Sequence, residues 1–139
     1  MTVEEFKESY KTTEKVNAIA SLLQEEEKKI ALKGLVGSSA SVISNAVLQN
    51  HSGFHLFVLS DKEEAAFFFN DLENLNKNAS HILFFPHSYR RPYQLEEIDN
   101  ANVVSRAEVL ERINRGNASV VVTYPEALFE KIITKKQFA

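Results

Sequence analysis

The sequence contains no cysteine and no tryptophan, and only four glycines, three prolines and one methionine among its 139 residues. Without cysteine there is no disulfide framework, no thiolate metal site and no cysteine nucleophile, and such a chain suits the reducing cytosol. Basic charge is also in short supply. Sixteen Lys plus Arg face nineteen Asp plus Glu, a formal net charge of -3, which excludes a free-standing nucleic-acid module whose affinity comes from neutralised phosphates. No stretch approaches the roughly 18 apolar residues of a membrane span, and the opening MTVEEFKESYK is acidic and polar where a signal peptide needs a basic start and an apolar run. The chain therefore reads as a soluble, cytoplasmic protein with no membrane partner. Its composition, 44% hydrophobic and 25% charged, is enough to bury one sizeable core.

Periodicity divides the chain into an N-terminal helical segment, residues 1–28, and an α/β domain, residues 29–139. Val16, Ile19, Leu22 and Leu23 recur at helical spacing behind Thr12 and Thr13, either of which can cap the start. Ile30 to Lys33 has the length of a short strand, and Val42, Ile43, Ala46 and Val47 then mark a helix. Phe54 to Leu59 is nearly continuous in apolar residues, as in a strand covered on both faces, and Ser60-Asp61-Lys62-Glu63 forms a capping box for a helix through Leu75. Ala65, Phe68, Phe69, Leu72 and Leu75 form its expected buried face. Phe67, Phe68 and Phe69 must spread around that helix, so at least one should face a neighbouring helix or a further domain. His81 to Phe85 predicts a third strand, stopped by Pro86. Val103, Ala107, Leu110 and Ile113 share one face of a helix that Gly116 can end, and Val120 to Val122 predicts a fourth strand. Thr123-Tyr124-Pro125-Glu126 combines a capping box with an early proline, opening a last helix. This alternation predicts a three-layer α/β sandwich with a mostly parallel sheet of about four strands.

Gly34-Leu35-Val36-Gly37-Ser38-Ser39-Ala40-Ser41 falls between a predicted strand and a predicted helix, where a phosphate-binding loop would lie. Such a loop has the form G-x-x-x-x-G-K-[ST]: the glycines let amide groups close around phosphates, the lysine offsets their charge, and the hydroxyl ligates magnesium. Gly34 and Ser41 fit. Ser39 stands where the second motif glycine belongs and Ala40 where the lysine belongs. A lost charge-assisted phosphate contact is worth about 1.5 to 3 kcal/mol, roughly one to two decades of affinity. No apolar strand ends in the Asp-Glu pair that would bring a catalytic base and a magnesium carboxylate to the crevice. The stretch thus reads as a vestigial phosphate loop, or as an ordinary turn whose serines cap the helix. No bound cofactor, no catalytic residue and no metal is expected.

Other residues with chemical potential are few. His51 and His55 are four apart but separated by Gly53 at a strand entry, without a completing ligand cluster. Tyr89, Arg90, Arg91 and Tyr93 mix aromatic and guanidinium groups, a composition enriched at interaction hot spots. Asp99, Arg106, Glu108, Glu111 and Arg112 make a charge-rich helical surface, either solvated throughout or with Arg106 as a buried anchor for the preceding loop. Tyr89, Arg90, Arg91, Tyr93 and Arg106 are the interaction candidates.

Four blocks in order, GLVGSSAS, VLSDKEEAAFFFNDLENL, LFFPHSYRRPYQLEEIDNANVVSRAEVLERI and VVVTYPEALFEKI, give the stretch from Ile30 to Ile132 a resemblance to the N-terminal region of bacterial transcription-repair coupling factors. That region is itself similar to the first domain of the damage-recognition subunit of the excinuclease. The resemblance implies a degenerate, helicase-like P-loop domain that is a fragment of a larger protein. In the excinuclease protein the loop is intact and a long aromatic hairpin precedes the following helix. Here Ala40 replaces the lysine, and only the ten residues 90–99 separate Tyr89 from Asn100, too few for a long hairpin. The coupling factor is the better match. A parent of that family would be an ATP- and magnesium-dependent DNA translocase that displaces RNA polymerase stalled at DNA lesions and recruits nucleotide excision repair through the first subunit of the excinuclease. Its partners would be RNA polymerase, DNA, that first excinuclease subunit and its own other domains, with the excinuclease-binding surface mainly beyond Lys135. The alternative is a working nucleotide-binding domain of an excinuclease-type helicase.

Overall fold

In a computed structural model of the chain, residues 1–89 and 99–132 are described. They form an α/β arrangement with six helices and a small open parallel sheet of three strands. The chain divides into two compact units, one of Met1–Gly53 with Asn70–Lys77, the other of Phe54–Phe69 with Asn78–Ala139.

The first unit holds α1 (Val3–Lys11), α2 (Glu14–Leu22) and α3 (Ser39–Asn50). Polarity hid α1 in the sequence, yet Thr2-Val3-Glu4-Glu5 is a capping box: Glu5 N–H donates to Thr2 Oγ1 at 3.2 Å and Thr2 N–H donates to Glu5 Oε2 at 2.6 Å. The α2 helix starts after Thr13 as expected, but Thr13 makes no side-chain cap, because its hydroxyl donates back to the Tyr10 carbonyl at 2.8 Å. Val16, Ala46 and Val47 are the buried centre, with Tyr10, Ile19 and Ile43 packed around them. Residues 30–33 form no strand. A strand draws its stability from cross-strand partners, and none of the described strands pairs with this segment; Leu32 is left largely exposed.

The second unit is built on the sheet, in the order β1-β3-β2, from β1 (His55–Val58), β2 (Ile82–Phe84) and β3 (Val120–Thr123). His55 pairs with Val120 and Val58 with Thr123 on one side of β3, and Ile82 with Val120 and Phe84 with Val122 on the other. All four β3 residues are buried, which is why the segment is uniformly apolar up to its threonine. In β1 only one face is partly covered: His55 and Phe57 are half-buried while Leu56 and Val58 are about half exposed, so the expectation of cover on both faces fails there.

Helix α4 (Lys62–Leu75) gives its first part to the second unit and its last part to the first. Its cap is Asp61, which accepts from Glu64 N–H at 2.8 Å, one residue later than the predicted box. Ala65, Phe68 and Leu72 are buried as expected, while Phe67 is 72% exposed. Helix α5 (Asn100–Asn114) starts at Asp99, whose carboxylate accepts from Ala101 N–H at 3.0 Å. It ends in a Schellman motif: Gly116, at φ +71, donates to Ile113 and Asn117 donates to Arg112. Its buried residues are Arg106 and Val109; Val103 and Ile113 remain well exposed, so the predicted apolar face is not the inward one. The short α6 (Pro125–Phe129) starts from Tyr124, not Thr123. Thr123 stays in β3 and donates its hydroxyl to the Phe85 carbonyl at 2.9 Å, so the predicted capping box does not form.

Candidate functional site

Two clusters, one in each unit, are built around residues singled out by the sequence: the turn of residues 34–41 and Arg106. In the first, Gly34 and Gly37 take left-handed backbone angles, φ +82 and +54, and lead into the N-terminus of α3. Ser38 is its N-cap residue but makes no side-chain cap bond; with ψ near 2° its backbone is not extended as a capping residue's is. The Ser39 hydroxyl instead accepts the Val36 N–H at 2.6 Å, closing the turn on itself. The serines therefore do not cap the helix in the expected way. Ala40 is half-buried and supplies no charge.

Ser41, the hydroxyl that would ligate magnesium in an intact loop, is 1% exposed. Its oxygen lies 2.6 Å from Asp71 Oδ2 and 2.8 Å from the Ser38 carbonyl, with one proton serving two acceptors. One turn further along α3, buried Asn45 accepts from Asn76 Nδ2 at 2.8 Å, and that amide also donates to the Leu72 carbonyl. Asp71 thus introduces a negative charge where a phosphate loop needs a positive one, and sequence spacing offered no signal for it, thirty residues from Ser41. Ser41→Ala would leave this half-buried carboxylate oxygen without its hydroxyl donor. We expect a loss of about 1 to 2 kcal/mol in urea unfolding, with the helical circular-dichroism signal retained.

The second cluster surrounds Arg106, which is 6% exposed and decides between the two readings of its helix in favour of the buried anchor. Its Nη1 donates to the carbonyls of Pro86 at 2.7 Å and Ala127 at 3.0 Å, and its Nε lies 3.6 Å from Glu130 Oε1. The guanidinium sits 4.2 Å above the Phe85 ring. The Glu130 carboxylate in turn accepts from Ser88, through both its amide and its hydroxyl. Asp99 N–H donates to the Ser88 carbonyl at 2.7 Å, so both ends of the 89–98 connection meet at this anchor. Burial pulls the Arg106 guanidinium below its ordinary pKa, with Glu130 opposing that shift. Beside it, burial lowers the pKa of His87 and raises that of Tyr124.

A cavity of about 180 Å³ opens next to the anchor, with Val103, Ala107, Leu110 and Ile132 as its apolar wall and Ser88 with Glu130 at its polar end. Tyr89 is half-buried. Arg90, Arg91 and Tyr93 lie outside the described residues. His51 ends α3 and His55 opens β1, and among the described residues no three His, Asp or Glu side chains come together as a metal site. Nor is any helix among them long and apolar enough to cross a membrane. Of the anchor residues, only Arg106 could be singled out from the sequence. The bonds that build the surroundings, Arg106 to Pro86, His87 to Tyr124 and Ser88 to Glu130, span 20 to 42 residues, which no local pattern announces.

The arrangement can tie Ser88 to Asp99 and line a small cavity. In the turn of residues 36–41 the Val36 amide and the Ser41 hydroxyl are directed inward, to Ser39 and to the Asp71 carboxylate. Comparison with models of protein families, with curated proteins and with solved structures returns no match.

Proposed function

We propose that this chain is a non-catalytic α/β module that acts through protein contacts. More particularly, it is the N-terminal, degenerate P-loop domain of a transcription-repair coupling factor. The four-block sequence resemblance supports that assignment, and the parallel order β1-β3-β2 is compatible with a helicase-like domain. The observation that carries the non-catalytic reading is the state of residues 36–41: the Val36 amide is taken by Ser39, the Ser41 hydroxyl by Asp71, and no cation stands at position 40. A polyphosphate there would meet repulsion from Asp71 and few donors free to turn toward it.

In this reading the fragment binds no cofactor of its own, and ATP and magnesium belong to the motor domains of the parent protein. RNA polymerase, DNA and the first subunit of the excinuclease are reached through that parent, in the cytoplasm. The scaffold role falls to the Arg106 anchor, which presents the segment from Tyr89 onward.

Calorimetric titration of the purified chain with magnesium ATP tests the proposal. We expect no saturable binding in the micromolar range; saturation at one nucleotide per chain would favour an excinuclease-type nucleotide-binding domain and overturn it. The double variant Ser39→Gly, Ala40→Lys frees the Val36 amide and restores the charge. It should regain weak affinity, by roughly one to two decades, without turnover. Steady-state phosphate release by that variant would contradict the assignment.

A further inference from the structure

His87 follows β2 by three residues and is 6% exposed, yet none of the described residues accepts or donates at its ring Nε2. All of its described hydrogen bonding goes to one oxygen. The His87 backbone N–H donates to the Tyr124 hydroxyl oxygen at 3.0 Å, and the ring Nδ1 lies against the same hydroxyl. The two rings meet edge to face, centroids 5.6 Å apart, and Tyr124 is itself 1% exposed.

Counting donors and acceptors gives this pair two very different states. With a neutral ring, the tyrosine oxygen accepts the backbone N–H and its own proton goes to Nδ1, so only the neutral Nε2–H lacks a partner. With a protonated ring, Nδ1 becomes a donor as well. The tyrosine oxygen must then accept both the amide and Nδ1–H, its own proton has nowhere to go within the pair, and the orphaned Nε2–H carries positive charge in a buried position.

We propose that His87 and Tyr124 form an acid-released latch, which holds segment 86–88 against the start of α6 while the imidazole is neutral and lets it go on protonation. The surrounding charges are mixed. Lys62 from α4 and Arg106 from α5 oppose a second cation, while Glu126 and Glu130, in and just after α6, favour one; burial outweighs them all and keeps the ring neutral. Because the folded-state pKa of His87 is depressed, the latch contributes fully above the ordinary histidine range and is lost as the pH falls below it, through the folded value. The segment it holds runs directly into the anchor, since Ser88 N–H donates to Glu130 at 2.8 Å and Asp99 N–H to the Ser88 carbonyl at 2.7 Å.

Two nuclear magnetic resonance measurements on the full chain test this, with His87→Gln used to assign the ring signals. The His87 ring should titrate below the usual histidine value of about 6.5. As the pH is lowered from about 7.5 through the ring's own titration, the amides of His87, Ser88 and Asp99 should also exchange roughly tenfold faster than intrinsic chemistry alone requires, as expected from the loss of one buried hydrogen-bonded tie. The His87→Gln variant should show no such step. A ring that titrates at or above the ordinary value overturns the latch, as does wild-type exchange that follows intrinsic chemistry throughout. A step of equal size in the glutamine variant also overturns it by assigning the change to another group. If that variant does not fold, assignment by through-bond correlation in the wild type leaves the first two criteria decisive.

Discussion

Arg106→Met lowers the stability of the unit that contains the sheet by about 3 to 5 kcal/mol, the scale for removing one partner of a buried, hydrogen-bonded charge pair. Methionine can replace the aliphatic stem and much of the packing on Phe85, so the loss isolates the guanidinium. The Pro86 and Ala127 carbonyls lose their Nη1 donor, and the Glu130 carboxylate loses its cation. Lysine is no substitute, because a single ammonium cannot reach the two carbonyls and the carboxylate from one fixed plane. Arg106→Lys should therefore fall closer to methionine than to wild type. Glu130→Gln should lose less, about 1 to 2 kcal/mol, since an amide oxygen still accepts from Ser88. Urea unfolding followed by circular dichroism provides the measurement; a methionine variant with the wild-type midpoint and slope would show that the anchor is dispensable.

Val16→Asp has a comparable expected effect in the other unit, also about 3 to 5 kcal/mol, because it places an unpaired charge in a buried, apolar position. Val16 is 0% exposed, and its cluster with Ala46 and Val47 is small, made of one valine and one alanine beyond itself with partly buried Tyr10, Ile19 and Ile43 at the rim. None of these neighbours offers a cation to pair with the carboxylate. Against a total stability of about 5 to 15 kcal/mol for a typical domain, this is enough to detach α2 from α3. Loss of helical ellipticity at neutral pH, partly recovered in acid as the aspartate is protonated, is the expected observation. An unchanged spectrum and melting temperature would refute the assignment of Val16 to the core.

What could be read from the sequence depended on the range of the interactions involved. Local signals were legible: Gly116 after α5 and the apolar rhythm of Ala65, Phe68 and Leu72 in α4, whereas Asp99, read only as part of a charged helical surface, proved to be the α5 cap. The uniform run Val120 to Val122 correctly marked the central strand. Errors arose where a distant partner decided the outcome. Ile30 to Lys33 has strand-like composition but no described strand beside it, and Phe54 to Leu59 looks covered on both faces because apolar content does not reveal whether anything packs on the second face. The inward face of α5 was misread because it is centred on Arg106 and Val109, and the arginine is tolerable there through the carbonyls of Pro86 and Ala127 and the Glu130 carboxylate. At residues 34–41 the absence of a lysine was visible, whereas the Asp71 carboxylate that occupies the Ser41 hydroxyl was not.

The strand order carries a consequence for how the chain is made. β1 and β2 never touch as strands; each depends on β3, whose partner residues lie 65 and 38 positions later. During synthesis the first two strands therefore emerge without the strand both pair with, and the described sheet cannot form until the ribosome has released Val120 to Thr123. Pairings this distant fold slowly and leave sticky backbone exposed in the interval. A nascent chain halted before residue 120 would hold two strands without the one they share.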